Sequence, residues 1–124
     1  VNINGVLVGI SLLNSAWRSW NSDADKGRLL IGREQVINSL SFINKSQVKL
    51  ALSHHDIVWL ADFDSTEIQK YICKNYDMFF TGRSSAGRNG NTALEHMFKK
   101  GCISESGEHN YIYRVQQAGF VAEL

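Results

Sequence analysis

The sequence predicts an α/β fold in which parallel strands are joined by helices and entered through an N-terminal hairpin. Three observations predict it. The pair Asn4-Gly5 divides two apolar stretches, residues 1–3 and 6–10, and both of its positions accept the positive φ of a type I′ turn. Helical and extended patterns then alternate twice between residues 33 and 81 with short connections, the rhythm of a right-handed crossover unit in a parallel sheet. Finally, 124 residues, 44% hydrophobic and 20% charged, suffice for one packed core, so residues 1–124 are expected to form a single domain.

Residues 12–22 are mixed and aromatic, residues 22–27 are polar and turn-like, and Gly32 interrupts the chain again. From 33 to 44, Val36, Ile37, Leu40 and Ile43 recur at helical spacing. Val48-Lys49-Leu50-Ala51-Leu52 alternates as a strand and stops at Ser53-His54-His55. Asp64-Ser65-Thr66-Glu67 has the form of a capping box, with Asp64 as N-cap and Glu67 reaching back. Ile68, Tyr71 and Ile72 form the buried stripe of the helix that follows, and Cys73 lies on its buried side. Met78-Phe79-Phe80, within residues 77–81, reads as a strand covered on both faces that ends at Gly82. Residues 84–91 form a glycine-rich loop, 92–100 a short helix and 111–115 a late strand. In parallel sheets functional groups gather beyond the C-terminal strand ends. That places His54-His55 and Gly82-Arg83-Ser84-Ser85 along one shared edge.

The net charge of +1 argues against nucleic acid as the main partner. No apolar run approaches the roughly 20 residues that span a bilayer. Residues 1–5 lack the basic start and apolar stretch of a signal peptide. With no initiator Met and strand-like sequence from Val1, the polypeptide is expected to begin further upstream. Cys73 and Cys102 fit no close-spaced metal or redox pattern, which favours a reducing, cytoplasmic setting. The chain has no Pro, where average usage gives about six.

Three stretches carry a resemblance. The first is Asn14-Ser15-Ala16-Trp17 running to Gly27-Arg28-Leu29-Leu30-Ile31-Gly32. The second is Leu50-Ala51-Leu52-Ser53-His54-His55-Asp56-Ile57-Val58-Trp59-Leu60, followed by Asp62-Phe63-Asp64. The third is Asn75-Tyr76-Asp77-Met78-Phe79-Phe80-Thr81-Gly82. In order and spacing they resemble the C-terminal half of a calcineurin-like metallophosphoesterase. The fold this implies is part of a two-sheet α/β sandwich with helices packed outside. The chemistry it implies is phosphate-ester hydrolysis by two divalent metals (Mn, Fe, Zn or Ni) about 4 Å apart, which clamp a phosphate and activate a bridging water. By this resemblance His54 matches a metal-ligand histidine and His55 is its usual neighbour.

The departures are specific. Asp56 stands where the family has proline, and Arg83 and Ser85 stand where it has the two histidines of Gly-His-x-His. A guanidinium stays protonated and cannot ligate a metal. The family's earlier motifs (Asp-x-His, Gly-Asp and Gly-Asn-His) are absent from the sequence. The expectation is a partial or degenerate phosphoesterase domain, inactive as this chain alone. The alternative is a non-catalytic binding or assembly module that kept the scaffold. Either implies a homo-oligomer or a missing N-terminal half, with a phosphate-containing ligand as a further possibility.

Other patterns have plainer readings. Gly82-Arg83-Ser84-Ser85-Ala86-Gly87-Arg88-Asn89 keeps the glycine spacing of a phosphate-cradling loop, yet Arg88 and Asn89 replace its Lys and Ser/Thr. A surface loop with weak anion attraction at Arg83 and Arg88 is the expectation. Trp17, Trp20 and Trp59 read as core or interface residues rather than a stacking platform. Asp23, Asp25 and Lys26 read as a solvated turn, and His96 and His109 as surface residues. A zinc site from Cys73, His96, Cys102 and His109 has no recognised spacing.

Overall fold

The computed structural model describes residues 1–21 and 23–82 in full, and the backbone alone of Arg83 and of strands at 97–98, 101–105, 112–116 and 119–123. The chain opens with β1 (Asn2–Ile3) and β2 (Val6–Leu13), paired antiparallel with Ile3 opposite Val6. Asn4 and Gly5 take φ of 52° and 79°, as the type I′ turn requires, and Asn2 Oδ1 accepts from Gly5 N at 3.0 Å. Beyond the hairpin β2 continues to Leu13, because from Val8 onward it gains a second partner on its other side.

That partner is β3 (Val48–His55), reached through helix α1 (Arg33–Phe42). Helix α2 (Asp62–Asn75) then leads to β4 (Met78–Arg83). β5 (Met97–Phe98), β6 (Gly101–Glu105), β7 (Ile112–Gln116) and β8 (Gly119–Glu123) follow. The main sheet has the order β1-β2-β3-β4-β6-β5. Its four inner strands, β2, β3, β4 and β6, are mutually parallel, and β1 and β5 are antiparallel edges. β7 and β8 form a separate hairpin. The protein is therefore a mixed α/β fold.

Both helices pack on one face of the sheet. Val36 of α1 and Ile68 and Ile72 of α2 share a cluster with Leu13, Ala51 and Phe79 from the three adjacent strands. Burying Ile68 or Ile72 contributes about 1.5–3 kcal/mol each. The chain leaving α1 crosses β2 so closely that a Cβ on Gly9 would lie 2.6 Å from Ile43 Cβ. On the opposite face Val6, Val8 and Val48 are buried with Leu50 against them. Exposure on this face rises toward the strand C-termini, reaching 43% at Ile10, 74% at Leu12 and 36% at Leu52.

Several local expectations are corrected. β3 does not stop at Leu52 but runs through His55, because β4 remains paired with it as far as Arg83. Helix α2 starts at Asp62 with Ala61 at the N-cap position and no side-chain cap. Asp64 is not its N-cap: its carboxylate is turned to the chain before α1 and accepts from Ile31 N at 2.7 Å and Gly32 N at 3.1 Å. Met97 and Phe98 are extended rather than helical, held by antiparallel pairing to β6. Trp17 and Trp20 are not core residues, being 57% and 93% exposed, whereas Trp59 is buried. The expected loop at 84–91, the rest of the expected helix at 92–100 and the side chains of His96, Cys102 and His109 lie outside the described residues.

Candidate functional site

Three chain segments leave the sheet side by side at its C-terminal edge: residues 14–16 after β2, 53–56 at the end of β3, and 81–83 at the end of β4. Parallel register aligns them, with Leu13 opposite Ser53, Ser53 opposite Thr81, and His55 opposite Arg83. The two successive strand ends singled out by their sequence therefore do share one edge.

His54 and His55 differ sharply there. His54 is exposed and lies against Gly82 of the neighbouring strand, where an added Cβ would sit 3.6 Å from its Nδ1. His55 is 2% exposed. Alternation along a strand sends successive side chains to opposite sides, but at the end of β3 the two rings still meet edge to face, with centroids 4.5 Å apart. His55 also lies 5.4 Å from the Trp59 ring.

Below His55 is a buried hydroxyl pair that the sequence reading did not single out. Ser53 Oγ donates to Ser15 Oγ at 3.0 Å, and the His55 backbone N–H donates to the same oxygen at 3.1 Å. Ser15 Oγ lies 3.0 Å from His55 Nδ1. A hydroxyl has two lone pairs and one proton. The Ser15 hydroxyl thus joins Ser53, the His55 backbone and the His55 ring in one buried cluster. Among the described residues the neighbouring Thr81 hydroxyl, also buried, has no hydrogen-bond partner. The sequence signal for these hydroxyls is that Ser53 and Thr81 interrupt apolar strands and Ser15 follows one, which is too common a pattern to identify a site.

The chain from 17 to 32 folds over this edge. Asp25, expected as a solvated turn residue, is buried, and its Oδ2 accepts from Ser19 Oγ, Trp20 N and Asn21 N at 2.9, 2.8 and 3.0 Å. Burial pushes its carboxyl up, but these bonds, together with the nearby His55 ring, outweigh that and hold it below the ordinary 3.8. Leu29 bridges to Leu60, and Trp59 O accepts from both Gly27 N and Leu29 N. Asp56, where the resembled family has proline, is buried and accepts from Val58 N at 3.4 Å. It caps the 3-10 turn Ile57–Trp59.

Two concavities accompany these features. A shallow notch of about 350 Å³ lies at the strand ends among Leu12, Leu13, Asn14, Leu52, Ser53 and His54. A groove of about 510 Å³ runs along α2, including Phe63, Lys70 and Tyr71. Cys73 is partly buried beside the core, and burial pushes its thiol up, so it is no ready thiolate.

A resident metal pair does not fit the described residues. No three His, Cys, Asp or Glu side chains among them come together to hold an ion. His55 is buried with its Nδ1 hydrogen-bonded to Ser15, and the backbone of Arg83 stands in register with it. Arg88, the other residue of the expected anion site, is outside the described residues, as is the Arg83 side chain. Among the described residues no helix is long and apolar enough to cross a membrane. Comparison with known proteins finds no matching family model, no matching curated protein and no matching solved structure.

Proposed function

We propose that this chain is a metallophosphoesterase-like α/β scaffold with a degenerate metal site, serving as a non-catalytic binding or assembly module. The single observation that carries the reading is the state of the two histidines. His54 alone offers an accessible imidazole at the strand ends, while His55 is committed to Ser15. A two-metal mechanism needs several ligands around each ion and stabilisation of both the attacking and the leaving oxygen. One accessible imidazole supplies neither.

Hydrolysis of p-nitrophenyl phosphate and bis-p-nitrophenyl phosphate with manganese, nickel or zinc tests the loss of chemistry. No turnover above buffer is expected, and calorimetric titration with zinc is expected to show weak binding that disappears in His54→Ala. Turnover that follows the protein through purification and vanishes in His54→Ala would overturn the proposal.

A further inference from the structure

The segment that leaves β2 displays two large aromatic rings on an anchored backbone. Trp17 Nε1 donates to Leu30 O at 2.7 Å, and the Trp20 backbone is tied at 2.8 Å to the buried Asp25. Asp25 also accepts from the residues on either side of Trp20. The backbone is thus fixed from below while the Trp20 ring is 93% exposed. A ring held out in this way keeps its full apolar face in water, and its backbone has little freedom left to lose on binding.

Charge indicates what kind of ring would stack on it. Arg18 Cζ lies 5.7 Å from the Trp17 ring centroid, within cation–π range, so a cation sits on the segment that carries Trp20. Arg18, Lys26 and Arg28 are exposed on this loop against the exposed Asp23, and Asp25 is withdrawn beneath it. A net charge of +1 over the whole chain does not favour a long phosphate backbone, but one phosphate requires only this local excess.

We infer that the Trp17–Trp20 loop is a stacking platform for an aromatic base that carries phosphate, as a nucleotide does. The base stacks on Trp20, and the phosphate faces the cations of the same loop. This goes beyond the proposed scaffold role and uses neither histidine.

Adenosine monophosphate titrated into the full chain, read by tryptophan fluorescence, tests it. Saturable quenching is expected, with adenosine alone and inorganic phosphate alone each binding more weakly. Trp20→Ala should weaken binding about tenfold, the scale of one base–aromatic stack, and Arg18→Gln about threefold. Trp20 is almost wholly exposed, so the far-UV circular dichroism of Trp20→Ala should match the parent. Phe63→Ala, which removes a 71% exposed ring on α2, should leave binding unchanged. A short thymidine oligonucleotide that binds more tightly than the mononucleotide would identify single-stranded nucleic acid as the source of the base. The inference is overturned if neither probe quenches saturably, or if Trp20→Ala binds as the parent does. It is equally overturned if Trp20→Ala converts an oligomer to a monomer, since the ring would then be an interface between copies.

Discussion

Asp25 Oδ2 gathers three donors from consecutive residues 19–21, and that makes the loop above the sheet edge sensitive to acid. Its carboxyl is held below the ordinary 3.8, so the folded chain takes up this proton less readily than the unfolded one. Stability from such a group is complete above the unfolded value and is lost as pH falls through the folded value. The difference in urea midpoint between the parent and Asp25→Asn should therefore be present at pH ~6 and shrink below pH ~4. A difference that is the same at both would show that the carboxylate charge contributes nothing. At this scale the sequence was only partly legible. His54 and His55 were placed near the end of β3 because a strand pattern is local, although the strand runs through them instead of stopping before them. Ser15 was not singled out and Asp25 was read as solvated, because burial of a short polar residue depends on the path of a whole loop.

Asp64 ties two elements together. It sits in the first turn of α2, 4% exposed, and its carboxylate accepts the backbone N–H groups of Ile31 and Gly32 just ahead of α1. Removing it strands two N–H donors in a buried place, where bonds to a charged acceptor are worth about 1.5–3 kcal/mol each. Asp64→Ala should cost about 2–4 kcal/mol in equilibrium urea unfolding, and Asp64→Asn less, since one acceptor oxygen remains. A loss near 1 kcal/mol would instead be what a simple N-cap gives. The helical spacing of Val36 and Leu40, the alternation after Val48 and the apolar run at Met78 were enough to find α1, β3 and β4. Their ends were harder to locate. β3 extends to His55 and α2 begins at Asp62 because neighbouring backbone completes them, and that partnership is not written in the residues themselves. The same holds for Met97 and Phe98, which are extended by pairing with β6.

β2, β3 and β4 are covered by helices on one face, while on the other Ile10, Leu12 and Leu52 remain open at the strand C-termini. The side chains of β2 and β3 on that face, from Val6 to Leu12 and from Val48 to His54, include no Asp, Glu, Lys or Arg. Exposed apolar surface of this kind favours association, and a closed two-fold dimer limits its growth. Light scattering should show mass rising with concentration in the micromolar range, and Leu12→Lys should lower it. A monomer mass at every concentration, with no bound apolar dye, would remove the reason for this expectation. The α/β class and the parallel pairing were legible because a hairpin pair and short crossovers constrain topology. The separate β7–β8 hairpin was not, since strand patterns carry no record of which sheet they join. The strand order has one more consequence, for synthesis. A ribosome releases β1, β2, β3 and β4 in the order in which they stand in the sheet, so each new strand docks on the one made just before it. β5 has no partner until β6 is made, so β6 docks on β4 and carries β5 to the edge as its antiparallel neighbour. The nascent chain can thus build its main sheet by addition at one edge, without parting strands already paired.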